Sequence, residues 1–287
     1  MSLKQMPWAL WRTQILAVLR LEMKKTFFAR RAAWVYLLAF APVVIFALHS
    51  FIKIKEGRSC NLGEDTHIFA TVFQFFFLRL AVFFGCVGIF TNLFRGEVLE
   101  KSLHYYFLAP LRREVLVVGK FLAGLVAAMV IFGASAVAQF VALYCHFSSN
   151  VVEDYLFRGG GIEHLAAYFG VTLLACVGYG SVFLAAGVMF RNPLLPTVVV
   201  LAWEAMGGFL PEFLQKISVI FYLKSLSPVS VPASDALERG SLLGFLAVNP
   251  TPVSPATAIV GLLTLSVAVL ALSSLLVRRM QIDYIAD

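Results

Sequence analysis

The chain has 287 residues, 60% of them hydrophobic and only 14% charged, with a formal net charge of +7. That balance leaves no water-soluble domain of useful size. The excess positive charge does not point to nucleic acid, because it sits at the flanks of apolar runs.

Residues 8–31 repeat their apolar positions at helical spacing. Trp8, Trp11, Ile15, Leu16, Leu19, Met23 and Phe27 share one arc, and Arg20, Lys24 and Lys25 lie on the other side. Arg12 and Glu22 break the pattern by falling on the apolar side. A basic amphipathic helix with Trp at its apolar edge suits either the headgroup layer of a membrane or a partner protein at that surface. The segment is too long and too cationic for a signal-peptide n-region, and no small-residue cleavage site follows the first apolar run.

Six apolar runs then follow, at 32–50, 68–91, 115–144, 165–190, 194–210 and 256–277. Each approaches the roughly 20 residues needed to cross about 30 Å of hydrocarbon. The predicted fold is therefore all-α: an interfacial helix over 1–31, then a six-span polytopic membrane domain over 32–287. The second run carries Gln74 and Arg79, the latter about 17 Å inward from the outer end at 1.5 Å per residue.

Between the second and third runs lies NLFRGEVLEKSLHYYFLAPLRREVLVVGK, residues 92–120. Val98, Leu99, Leu103, Tyr106 and Phe107 recur at helical spacing, Pro110 stops that helix, and Arg112 and Arg113 mark the return to the membrane surface. The pattern predicts a short amphipathic helix held rigidly between two spans over 92–113.

Here the chain resembles the membrane subunits of type-2 ATP-binding-cassette (ABC) exporters. Their usual pattern in this loop is an acidic residue, Gly-Thr-Leu, a hydrophobic stretch, Pro, a nearby Arg, and Gly-Lys opening the third span. Glu97 and Glu100, Ser102 and Leu103, Pro110, Arg113, and Gly119–Lys120 match it in order. Two positions depart: Lys101 stands where Gly is usual, and Tyr105–Tyr106–Phe107 replace smaller aliphatics. The resemblance implies a permease that does not hydrolyse ATP. Two copies of six spans would form the path, as a homodimer or with a related permease, above separate ATPase subunits that hold ATP and Mg and push on Glu97, Glu100, Ser102, Leu103, Pro110 and Arg113. The residues agree in one respect. No G-x-x-x-x-G-K-[ST] phosphate loop occurs, so this chain itself is expected to hold no cofactor and to perform no catalysis.

Further along, Glu204 lies about 15 Å inward from the other end of the fifth run. Arg79 and Glu204 thus fall near mid-bilayer, where a lone charge costs ~2.5–3.5 kcal/mol or more. Their opposite signs at one depth suggest a pair, with Gln74 in reach of the same network. It would be either a polar point on a transport path or a structural bond, and a Glu204 hydrogen-bonded to backbone is a further option. Small residues such as Gly124, Gly178 and Gly187 predict close helix contacts. Residues 211–255 are too apolar for an open loop and too broken by Pro for a span, which predicts short re-entrant or interfacial helices.

Of the cationic residues outside mid-membrane, 15 flank one side of these spans and seven the other. This predicts a cell (inner or plasma) membrane protein with both termini cytoplasmic. His49, His67, His146 and His164 lie near the outer ends together with Cys60 and Cys145, without ligand-motif spacing, so no metal site is expected. Pairing of Cys60 with Cys145 is left open. Other classes are an ion-coupled secondary transporter using Arg79 and Glu204, for which no internal repeat is visible, and a non-transporting membrane anchor for a cytoplasmic complex. An intramembrane enzyme lacks a catalytic constellation at any one depth.

Overall fold

The computed structural model describes residues 8–28, 32–56, 61–99, 106, 108, 112–190, 192–207, 210–229 and 253–279. Among them every regular element is helical. The order is α1 (Trp8–Phe28), α2 (Ala33–Glu56), α3 (Leu62–Leu99), α4 (Arg113–Tyr144), α5 (Ser149–Phe157), α6 (Gly161–Met189), α7 (Leu194–Ala205), α8 (Glu212–Gln215), α9 (Val219–Leu226) and α10 (Pro255–Arg279). Five of these helices, α2, α3, α4, α6 and α10, are long and apolar enough to cross a membrane. This is an all-α polytopic membrane protein.

The helix α3 has 38 residues, about 57 Å, so it outruns a bilayer and carries its last turns beyond it. Its middle, Phe73–Val82, winds as a π-helix. Such wide turns are uncommon and shift the register of the side chains that follow.

At the centre lies α6, packed against α3, α4 and α10. Gly187 shows how near the first contact is. A Cβ there would meet the Thr91 carbonyl oxygen at 2.8 Å and the Thr91 Cα at 2.9 Å, so two backbones touch where only Gly fits. Aromatic rings fill the rest of the seam. Phe69 and Phe73 of α3 lie 4.8 and 4.6 Å from the Tyr168 ring of α6, and Phe83 lies 5.0 Å from Phe183. By contrast, α2 and α10 bury one narrow face each and turn Leu37, Val44, Val260 and Val267 outward. Lipid tails satisfy such a surface as well as protein does.

The fifth apolar run departs from expectation. It forms a helix of only 12 residues, about 18 Å, ending at Ala205 rather than continuing to 210. The helix α9 re-enters between α6 and α10, its Val219 against Gly178 halfway along α6 and its Tyr222 against Gly261 of α10. The expected re-entrant segment is therefore present in α8 and α9, while 230–252 lie outside the described residues. So do Glu100, Ser102, Leu103 and Pro110 of the loop, and Cys60.

Candidate functional site

Two ends of the bundle can be told apart by charge. The basic end holds α1, the end of α3, the start of α4 and the end of α10. At this end the structure gathers four charged residues and a tyrosine into one largely buried cluster, centred on Lys120.

Lys120 is fully buried near the start of α4. Its ammonium lies 2.8 Å from Glu22 Oε1 of α1, 2.8 Å from Glu97 Oε2 of α3 and 2.7 Å from the Leu93 carbonyl. Two of these contacts are hydrogen bonds that the ammonium donates, to Glu22 Oε1 and the Leu93 carbonyl, and the contact with Glu97 Oε2 is an ion pair. The Phe94 and Tyr106 rings flank the charge, their centroids 5.3 and 4.9 Å away. Tyr106 donates its hydroxyl hydrogen to Glu22 Oε1 at 3.2 Å, and Lys25 reaches Glu97 Oε1 at 3.4 Å from the half-exposed side. Two cations and two carboxylates leave the cluster neutral, which is the condition for burying so many charges.

Electrostatics follow from that geometry. Burial alone would raise the Glu22 carboxyl, but the Lys120 ammonium outweighs it and holds Glu22 below the usual carboxylate range. Tyr106 moves the other way: burial, and then the charges of Glu97 and Glu22, push its hydroxyl far up, so it stays a donor.

Local packing brings these residues together. The helix α1 lies along α4 with Val18 and Glu22 buried. Gly119 permits this approach, since a Cβ there would come within 3.0 Å of Val18 Cβ. Trp8, Leu10, Leu16 and Leu21 remain exposed on α1. Arg112 stacks over Trp11 with its guanidinium 5.0 Å from the ring centroid.

Of the residues singled out in the loop, the structure brings Glu97 into this cluster and turns Arg113 to the last helix. Arg113 Nη1 donates to the Val277 and Arg278 carbonyls at 3.0 Å each, capping the C-terminus of α10. A surface pair between Glu114 and Arg278 at 3.1 Å adds little. Sequence reasoning did not assign roles to Glu22, Lys25, Tyr106 and Lys120. The signal for Glu22 was there: a lone carboxylate on an otherwise apolar arc needs a cation to be buried with.

Glu204 Oε2 accepts from the Ser218 hydroxyl at 2.8 Å and the Ile220 N–H at 2.9 Å, while Oε1 accepts from the Val219 N–H at 2.9 Å. The carboxylate thus caps the buried N-terminus of α9, whose orphan N–H groups have no water to turn to. Arg79 is near enough to feel the charges of Glu204 and Lys224, and its guanidinium lies 5.7 Å from the Phe75 ring centroid. Gln74 donates to the Val229 carbonyl at 2.9 Å, which anchors the far end of the re-entrant segment. The three residues therefore converge on one object, the α9 segment, with Glu204 bonded to its backbone.

At the opposite end the four histidines do not form a ring. His49 and His146 close on Asp65, and His164 Nδ1 lies 3.0 Å from the Tyr155 hydroxyl. No protein-family model matches the sequence, and no curated protein matches it significantly.

Proposed function

We propose that the chain is the membrane subunit of an ATP-driven exporter of the type-2 ABC kind. It works as a dimer, with itself or a related permease, in the cell membrane with both termini cytoplasmic. Separate ATPase subunits bind ATP and Mg and drive it through residues 92–113.

The observation that carries this reading is the Lys120 cluster. It joins α1, the end of α3, Tyr106 of the loop and the start of α4 through buried charge. A push on the loop between α3 and α4 reaches both helices at their base and α1 with them, because separating any two strands a charge in low dielectric. Arg113 extends the same connection to the last helix. The exposed apolar residues of α1 suit the headgroup layer beneath which an ATPase would sit.

The test is partnership. Purified in mild detergent, the chain should bring an ATPase with it, and ATP turnover should require that second subunit. ATP hydrolysis by the isolated chain would overturn the reading.

A further inference from the structure

The end of the bundle opposite the Lys120 cluster holds an open cleft of about 680 Å³ that ATPase coupling does not use. It lies between the first turns of α3, the helix α5 and the start of α6. Val229, at the far end of the re-entrant segment, forms part of its wall and is held by Gln74. The size is that of a pocket for a small molecule.

The glycine run at 159–161 builds the floor. Gly160 takes a φ of 77°, which turns the chain from α5 into α6. A Cβ at Gly159 would come within 3.0 Å of the Tyr155 backbone, and one at Gly161 within 2.9 Å of the Tyr155 ring. The turn therefore wraps closely around Tyr155, which is buried yet borders the cleft. Its hydroxyl lies 3.0 Å from His164 Nδ1 and 3.4 Å from the Tyr144 hydroxyl, which in turn lies 3.1 Å from Thr66 Oγ1. Thr66 gives its own hydrogen to the Leu62 carbonyl at 2.8 Å, so it accepts from Tyr144. This chain of polar groups fixes Thr66, Tyr155 and His164, from three different helices, in one wall.

The rim is freer. His67, Asn150 and Asp154 are exposed on it. Among the described residues, none hydrogen-bonds the His67 ring, the Asn150 amide or His164 Nε2. Asp154 pairs at the surface with Arg158 at 3.3 Å. Leu62, Val151 and Val229 make the rest of the lining apolar.

These groups select a chemistry. The Asp154 carboxylate opposes an anion. Among the described residues no three metal-ligating side chains converge, so a metal ion is not what the cleft suits. What matches is a neutral molecule that donates and accepts hydrogen bonds around its edge and presents C–H faces between them. A sugar ring has that form: amide, carboxylate and imidazole serve its hydroxyls, and aliphatic walls serve its C–H faces.

We propose that this cleft binds a sugar unit in its pyranose form, free or as the headgroup of a glycolipid, with His67, Asn150 and Asp154 as the hydrogen-bonding rim above Tyr155 and His164. Such binding needs neither ATP nor a second subunit, so it stands or falls apart from the ATPase-driven reading.

The experiment uses the full chain in a polyoxyethylene detergent, which carries no sugar headgroup, without ATP. Saturation-transfer NMR reads glucose, galactose, mannose and N-acetylglucosamine. Native mass spectrometry reads monoglucosyl and monogalactosyl diacylglycerol against the same diacylglycerol without a sugar. The site predicts saturable binding of at least one sugar or glycolipid, weakened about five- to tenfold by Asn150→Ala and by Asp154→Ala, as the loss of one hydrogen bond implies. Glu153→Ala, on the same helix but outside the cleft lining, should bind as wild type does. Binding of the free sugars marks a soluble ligand, and binding of the glycolipids alone marks a lipid-borne one. No saturable binding of any of them overturns the site. So does binding that neither rim variant weakens, or a glycolipid held no more tightly than bare diacylglycerol when the free sugars do not bind.

Discussion

Lys120 and Glu22 meet at 2.8 Å across 98 residues of chain, in a place where neither touches water. Such a contact is strong evidence of a fixed arrangement, because each charge is tolerable only while the other is there. Lys120→Met should therefore cost about 3–5 kcal/mol, since it leaves Glu22 and Glu97 facing each other in low dielectric. Replacing all three, Lys120→Met with Glu22→Gln and Glu97→Gln, should recover much of that loss because the desolvation cost goes with the charges. Denaturant unfolding in detergent reads both. A single variant as stable as wild type would mean that the cluster is incidental.

Glu22 also sets an acid limit. Its folded value lies below the ordinary 4.5, so its contribution to stability is present above that value and disappears as the pH falls through the folded value. Melting temperature should drop below about pH 4.5, and Glu22→Gln should soften the drop while lowering stability at neutral pH. An acid limb identical in wild type and Glu22→Gln would remove Glu22 from the account.

Much of the architecture was legible in the sequence because hydropathy is a local signal. The long helices follow from counting apolar residues at 1.5 Å each, and the short helices within 211–229 from the way Pro and Lys interrupt that segment. What was not legible is which distant groups meet. Glu22 looked like a flaw in an amphipathic arc, and only the packing of α1 on α4 supplies its partner. Glu204 looked like one half of a pair with Arg79, since depth shows charges but not the orphan N–H groups of a helix that begins inside the membrane. The histidines were visible as a set, yet Asp65, which organises two of them, sits in a polar stretch where carboxylates are ordinary. The fifth run read as a span because its apolar residues continue to 210, although Gly207 and Gly208 stand just past the point where the helix stops. Here Ala205 ends it, six residues before Pro211.

Orientation is the next prediction, and it rests on the 15-to-7 cationic asymmetry. On a cysteine-free background, single cysteines at Asn150 and Phe213 should react with an impermeant maleimide added to intact cells. One at Lys101 should react only after the membrane is opened. Labelling at Lys101 from outside would invert the protein, and with it the side on which an ATPase can dock.

Glu204 separates two accounts of a mid-membrane charge. If its chief role is to cap α9, then Glu204→Leu strands the Ser218 hydroxyl and the Val219 and Ile220 N–H groups, at about 1–3 kcal/mol for each group left unsatisfied. Glu204→Gln keeps a carbonyl acceptor and should lose clearly less. If its chief role is to balance Arg79, the double variant Arg79→Leu, Glu204→Leu should regain most of what Glu204→Leu loses, because no lone charge remains. The capping geometry predicts that it does not: the N–H groups of α9 stay orphaned whatever stands at Arg79, so the double variant should be no more stable than Glu204→Leu alone. A double-mutant cycle in detergent measures the coupling directly. Near-complete recovery in the double variant would transfer the role of Glu204 from the helix to the arginine.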